Sequence, residues 1–188
     1  LAQSIADLVK LIQKEDIVPA QAIAPLFRIA PIIIFTMVFA GFSVLPLSPS
    51  WTGAGISSAL FFLLAIVSLD VIGIVIAGWS SNNKYSMLGT MRSAAQIISY
   101  EVPLGLSVLC VAMVCQSLDL QEISYQQSIL RTTPQYLFGL PGLGIETHST
   151  GGFLLWNVFR MPLLFLVWVV FFITSLAECN RAPFDLPE

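Results

Sequence analysis

The sequence predicts an all-α integral membrane protein, a multi-span helical bundle of four transmembrane helices with an N-terminal amphipathic helix in the membrane interface. Of the 188 residues, 56% are hydrophobic and 10% are charged, whereas soluble domains carry about 25% charged residues. Four apolar windows each approach the roughly 20 residues that a hydrocarbon core of about 30 Å requires. This composition excludes a soluble protein, and it shows no basic footprint for nucleic acid.

The first fourteen residues, 1–14, predict an amphipathic helix rather than a span. Their apolar side chains repeat at helical spacing, while Asp7, Lys10 and Lys14 lie on the other face. A helix with this pattern lies in the interface. It is either a membrane-surface anchor or the wall of a site that a lipid-soluble molecule enters from the bilayer, and helical periodicity does not separate the two.

Four predicted spans follow the amphipathic helix. A short uncharged turn joins the first two, a polar and basic loop at 82–92 joins the next two, and a long loop at 117–152 precedes the fourth. Aromatic residues near the span ends are typical of the membrane interface. The spans run from Ile29 to Leu47, from Ile56 to Trp79, from Ala94 to Cys115 and from Phe153 to Ala177.

The distribution of Lys and Arg predicts the orientation. If the N-terminal segment, the 82–92 loop and the C-terminal segment share one side, only Arg131 and Arg160 of the 8 basic residues lie opposite. The positive-inside rule makes the first side the inner side, whether cytoplasm, matrix or stroma. Residues 117–152 then form an outer loop, and residues 178–188 begin an acidic loop on the inner side.

Two acidic residues, Asp70 and Glu101, lie inside predicted spans. Pro103 follows Glu101 and removes a backbone hydrogen bond, which leaves a carbonyl free to bind a water or a polar side chain. Because burial disfavours the charged form of a carboxyl group, such an acid is suited to proton relay. The alternative is static pairing with a basic residue or with the backbone of another helix.

A cluster of charged residues directly follows the last apolar run. It consists of Glu178, Arg181, Asp185 and Glu188, with two prolines among them. Carboxylates are costly to hold in hydrocarbon, so a cluster at the end of a span meets water, pairs with a cation or carries protons. The residues alone leave static pairing and proton transfer open.

Three segments carry long motifs, IADLVKLIQKED at 5–16, GWSSNNKYSMLGTMRSAAQIISYE at 78–101 and AECNRAPFDLPE at 177–188. In order and spacing they resemble the quinone-site membrane subunit of respiratory complex I, which is called the H subunit in bacteria and subunit 1 in mitochondria. The resemblance covers nearly the whole chain. It implies a fragment that lacks the first and the last spanning helices of the family.

The resemblance implies a membrane subunit of proton-translocating NADH:quinone oxidoreductase, which is not catalytic alone. Such a subunit forms part of the quinone chamber and of the acidic path that links quinone reduction to proton pumping. The motifs assign to the proton path Glu101, Glu178, Asp185 and Glu188. They assign to the quinone chamber Asp7, Arg181 and Arg92. Asp70 joins the proton path by its position in a span, since the family need not carry an acid there.

The resemblance also implies cofactors and partners. Quinone is the substrate, bound at the interface with partner subunits, and NAD, FMN and iron–sulfur clusters belong to those partners. The sequence has no GxGxxG after a strand and no set of four cysteines for a cluster. The implied partners are the hydrophilic quinone-site and terminal iron–sulfur subunits, small membrane subunits, antiporter-like subunits and the lipid bilayer. The expected location is a bacterial plasma membrane, with the mitochondrial inner membrane and the thylakoid as alternatives.

Two other functions share features with this sequence. The homologous membrane subunit of an energy-converting hydrogenase, or of a ferredoxin- or F420-linked complex, differs in its electron donor. A secondary transporter using Asp70 and Glu101 for ion coupling would predict inverted repeats and unwound helices. The sequence shows no internal repetition, which disfavours the transporter, and the source of electrons distinguishes the first alternative.

Overall fold

The computed structural model describes residues 3–48, 51–128, 136–144 and 155–184. Over these ranges the protein is almost entirely helical, with one two-stranded hairpin and two short 3-10 segments. The α-helices are α1 (Gln3–Ile12), α2 (Ala24–Phe42), α3 (Ala59–Ser80), α4 (Lys84–Cys115), α5 (Leu120–Gln126), α6 (Asn157–Arg160) and α7 (Pro162–Glu178). The hairpin pairs β1 (Pro46–Ser48) with β2 (Trp51–Thr52), and the 3-10 segments are Leu137–Gly139 and Pro141–Leu143.

Three of these helices, α2, α3 and α4, are long and apolar enough to cross a membrane, and the 17-residue α7 is a shorter apolar helix. This is the architecture of an all-helical membrane protein, as the composition predicts. The hairpin lies in the predicted turn between the first two spans. In the predicted outer loop, the described residues include α5 and both 3-10 segments.

Helices α2 and α3 pack together through small residues. A Cβ atom at Gly73 would overlap the Ile34 side chain, and Ala30 beside it is fully buried. Small residues at such contacts let helix backbones approach closely within a bilayer. A hydrogen bond of 2.9 Å from the Ile23 N–H to the Ser80 carbonyl ties the start of α2 to the end of α3.

Helix α4 begins at Lys84, well before the predicted span, so most of the 82–92 segment is helix rather than loop. Asn83 caps it, because the Asn83 side chain accepts a hydrogen bond of 3.0 Å from the Tyr85 N–H. A helix of 32 residues is about 48 Å long, whereas the hydrocarbon core is about 30 Å thick. The first turns of α4 are polar, so a search for apolar windows does not detect them. The predicted span therefore starts later than the helix.

The predicted fourth window, 153–177, is divided near its start. Residues 153–154 lie outside the described residues, α6 ends at Arg160, and α7 starts at Pro162. Met161 between them is extended, with φ −120° and ψ 112°. A residue before proline avoids the helical region, and proline itself favours the first turn of a helix. Helix α7 then packs along α4.

The two ends of the bundle differ, and we name them by a residue that each carries. At the Cys115 end, α5 folds over α3 and α4, and the Leu60 N–H donates to the Leu118 carbonyl at 3.1 Å. The buried apolar cluster at this end comprises Leu60, Ala112, Cys115 and Ile123. The opposite, Lys84 end carries the turn from α3 to α4, and α7 ends beside Gln96, which lies twelve residues after Lys84 on α4.

Candidate functional site

Three acidic side chains from three helices approach one another between the middle of the bundle and the Lys84 end. Asp70 lies near the middle of α3, Glu101 lies on α4, and Glu178 is the last residue of α7. All three are partly buried. They are close enough for Asp70 to interact through charge with Glu101, and for both of these to interact with Glu178.

Ser68 on α3 is the hydrogen-bond partner of Glu101. Its hydroxyl donates to Glu101 Oε1 and also lies 2.9 Å from the Leu64 carbonyl oxygen. A serine hydroxyl has one proton to donate and can also accept. When Glu101 is ionised, Ser68 can donate to it; when Glu101 is protonated, Ser68 can accept from it and donate to Leu64. Glu101 therefore has a partner in both protonation states.

Asp70 has a different environment. Its Oδ1 atom is buried and has no hydrogen-bond partner among the described residues. It borders an apolar groove of about 200 Å³ between α2 and α3, with Met37, Leu63 and Val67 among the lining side chains. A buried oxygen without a partner costs about 1–3 kcal/mol, so Asp70 is a costly residue for folding.

Glu178 is held by the turn that ends α7. Asn180 has a left-handed conformation, with φ 47°. The N–H groups of Asn180 and Arg181 donate to the carbonyls of Ala177 and Leu176, at 3.2 and 3.1 Å. This pair of hydrogen bonds is the Schellman arrangement, in which asparagine is a common left-handed residue after glycine. The backbone of the turn thus fixes where Glu178 ends the helix.

Gln96 on α4 contacts both ends of the same turn. Its Nε2 atom lies 3.1 Å from the Ala177 carbonyl oxygen, 3.3 Å from Asn180 Oδ1 and 3.0 Å from the Phe184 carbonyl oxygen. One helical turn later, Tyr100 packs edge-to-face on Phe184, with the ring centroids 5.2 Å apart. Helix α4 thus holds the segment that follows α7.

The sequence did not single out Gln96 or Ser68. Uncharged polar residues in a helix give no signal until their partners are known, and these partners lie 33 to 88 residues away. One indication was available for Gln96, because it lies in the same motif as Glu101, at a helical turn from Tyr100.

The remaining predicted site residues are exposed or lie outside the described ranges. Asp7, Arg92 and Arg181 are exposed, and Asp7 accepts a hydrogen bond of 3.4 Å from Gln3 Nε2. Asp185 and Glu188 lie outside the described residues. Within the described ranges, the hydrogen bonds and ion pairs do not join Asp7, Arg92 or Arg181 to the three acids.

Potential metal ligands are dispersed over the described part of the chain. No group of three His, Cys, Asp or Glu side chains there is placed to hold a metal ion. The cysteines are free thiols, with Cys115 buried and Cys110 and Cys179 exposed. The described side chains at the site carry carboxyl, hydroxyl and amide groups.

The known proteins that this chain resembles all belong to one family. The family described as NADH dehydrogenase matches residues 1–188. The H subunit numbered 2 of NADH-quinone oxidoreductase from Cytophaga hutchinsonii is 56% identical, over 100% of this chain and 53% of its own length. The H subunits of the same oxidoreductase from Chlorobaculum parvum and from Agrobacterium fabrum are each 43% identical over 100% of this chain, covering 47% and 50% of their own lengths.

The chain thus spans about half the length of the curated relatives that it matches. The matched residues include α3, α4 and α7, the helices that carry the three acids. From the family match over all 188 residues and the identity to these relatives, the chain belongs to the NADH dehydrogenase family that includes the H subunit of NADH-quinone oxidoreductase.

Proposed function

We propose that the chain is a membrane subunit of a proton-translocating NADH:quinone oxidoreductase. It forms part of the quinone-binding chamber and part of the acidic path that couples quinone reduction to proton pumping. The observation that carries this proposal is that Asp70, Glu101 and Glu178 lie near one another on three helices: Ser68, two residues from Asp70, donates to Glu101, and Gln96 on the same helix as Glu101 contacts Ala177, the residue before Glu178. Family membership supports it, because relatives of the chain are named as the H subunit of NADH-quinone oxidoreductase.

Three interacting carboxyl groups suit a path along which charge changes. A unit charge on one carboxylate raises the free energy of placing charge on the others, and the effect is larger in a low-dielectric bundle than in water. Among the described residues, none of the three acids forms an ion pair with a basic side chain. This favours protonation change over static pairing, the alternative that the sequence left open.

The helices give the path a direction. Ser68, the partner of Glu101, is two residues from Asp70 on α3, and Glu178 lies at the Lys84 end of α7. The acids thus extend from the interior of the bundle toward the end predicted to face inward. Asp185 and Glu188 follow in the sequence and would continue the path. We assign Asp7, Arg181 and Arg92 to the quinone chamber at that end.

In this mechanism, quinone reduction changes the charge near Asp7, Arg181 and Asp185. Glu178, Glu188 and Glu101 then change protonation in response, which biases the antiporter-like subunits. Quinone is bound at the interface with the hydrophilic quinone-site subunit. NAD, FMN and the iron–sulfur clusters belong to partner subunits, and the assembly lies in a bacterial plasma membrane.

The substitution Glu101→Gln in the assembled complex tests this proposal. We expect pumping-coupled quinone reduction to fall by about tenfold or more, because an amide cannot exchange the proton. Ferricyanide reduction by the hydrophilic arm should remain near normal. Glu122→Gln is the matched control, since Glu122 is an exposed acid on α5 at the Cys115 end.

The two activities separate the possible outcomes. If quinone reduction and ferricyanide reduction fall together, Glu101 is needed for assembly and the relay role loses its support. If coupled quinone reduction is unchanged in Glu101→Gln, the three-carboxyl path is wrong. A loss in the Glu122→Gln control would show that the assay responds to any change in charge.

A further inference from the structure

Building on the proton path proposed above, we propose that Gln96 is a positioning residue. It fixes the turn at 177–184 against α4 and thereby sets the place of Glu178 relative to Asp70 and Glu101. In the described part of the chain, the hydrogen bonds from α4 to this turn all come from the Gln96 amide. Gln96 therefore supplies the described polar contacts that hold the acid-bearing end of α7 against α4, in addition to the packing of α7 along α4.

The three contacts use more acceptors than the amide has donors. An NH₂ group carries two hydrogens, whereas Gln96 Nε2 lies 3.0 to 3.3 Å from three oxygens. The acceptors belong to Ala177, Asn180 and Phe184, so the amide joins the last turn of α7 to the far side of the turn that follows. Ala177 is fully buried, and its carbonyl also accepts from the Asn180 N–H, so Gln96 gives it a second hydrogen bond.

The shape of the turn and its position depend on different bonds. Its shape is set by its own backbone, through the Schellman hydrogen bonds and through a hydrogen bond of 2.8 Å from the Phe184 N–H to the Arg181 carbonyl. Its position against α4 is set by Gln96 and by the ring contact of Tyr100 with Phe184. Loss of Gln96 should therefore displace a turn that keeps its fold.

Helix α4 lies between the two elements that carry the other acids. Gln96 and Glu101 are five residues apart, which places them about 140° apart around the helix and about 7.5 Å apart along it. Glu101 accordingly contacts Ser68 on α3, while Gln96 contacts the end of α7. Because charge interactions vary inversely with distance, a displaced Glu178 would respond less to the charges on Asp70 and Glu101.

Two substitutions in the assembled complex test the role of Gln96. Gln96→Glu keeps the shape but turns a carboxylate toward three oxygens, and Gln96→Met removes the donors without adding charge. Gln21→Glu, at an exposed glutamine in the linker before α2, is the matched control. The readout is the rate at which a maleimide labels Cys179, the exposed thiol in the turn, with the labelled site identified by mass spectrometry.

We expect faster labelling of Cys179 in both Gln96 variants, with the larger change in Gln96→Glu, and no change in Gln21→Glu. The kcat for coupled quinone reduction should fall by about fivefold or more, as for loss of a hydrogen bond to a buried acceptor. The KM for quinone and the ferricyanide activity should stay near normal. A merely structural residue would lower assembly and all activities together.

Labelling and kinetics distinguish failure of the two proposals. Unchanged labelling of Cys179 in both Gln96 variants overturns the positioning role, whatever happens to activity. Faster labelling with unchanged coupled quinone reduction keeps the positioning role and removes support from the proton path. If Gln96→Glu does not assemble, Gln96→Met decides between these outcomes, because it introduces no buried charge.

Discussion

Helices α3 and α4 contribute to both ends of the bundle, but the side chains that they bury differ between the two ends. At the Cys115 end, α3, α4 and α5 bury an apolar cluster, and the buried Asn157 Nδ2 donates to Cys115 Sγ at 3.1 Å. Toward the Lys84 end, α3, α4 and α7 instead bring three carboxyl groups together. The apolar end thus stabilises the fold, and the region with the three acids is where the proposed proton path requires a change of charge.

The supply of hydrogen-bond donors separates the two regions further. Near the acids, Ser68 has one proton for two acceptors, Gln96 has two for three, and Asp70 Oδ1 has no described partner. Buried polar groups in proteins are normally satisfied, so unsatisfied ones require an explanation. Where acceptors outnumber donor protons, an added proton can be bound without first breaking an existing hydrogen bond.

The largest effect on stability is expected at the Cys115 end, from Leu60→Ala. Leu60 is 5% exposed, and truncation of a buried leucine costs about 2–5 kcal/mol. Thermal denaturation of the complex should show this loss, while coupled quinone reduction per assembled complex stays unchanged. Leu106→Ala, at an exposed leucine on α4, is the control. A fall in activity without a fall in stability would contradict the division between the ends.

Much of this division could be predicted from sequence, because it depends on strong local signals. Long apolar runs predict the membrane helices, and Asp70 and Glu101 are conspicuous within them. The ends of the helices were harder to predict. The start of α4 at Lys84 has no apolar signal, whereas the break before Pro162 follows from a rule for residues that precede proline.

The contacts of the acids could not be predicted in the same way. Ser68 meets Glu101, and Gln96 meets the end of α7, only because α4 packs between α3 and α7. Serine and glutamine carry no charge, and neither spacing nor composition names a partner for them. Tertiary packing therefore decides which polar residues belong to the site.

A smaller effect is expected from Asp70→Leu, which should raise stability and lower activity. Leucine would fill part of the apolar groove beside α2 and remove the buried oxygen that lacks a described partner. We expect a gain of about 1–3 kcal/mol in the free energy of unfolding, with a loss of coupled quinone reduction. Both are measured on the assembled complex, with isosteric Asp70→Asn as the control. A loss of stability in Asp70→Leu would mean that the carboxyl group has a partner.

The smallest effect, and the most specific for the acid-bearing region, is expected from Ser68→Ala. It removes the Ser68 hydroxyl that can serve Glu101 in both protonation states, and a hydrogen bond of this kind contributes about 0.5–1.5 kcal/mol to stability. We expect coupled quinone reduction to fall, and Ser68→Thr to restore most of it because the hydroxyl returns. Ser99→Ala is the control, since the exposed Ser99 hydroxyl donates only along its own helix, to the Ala95 carbonyl at 2.6 Å. If Ser68→Thr is as impaired as Ser68→Ala, packing at this position matters and the hydroxyl does not, so Glu101 would have to exchange its proton without Ser68.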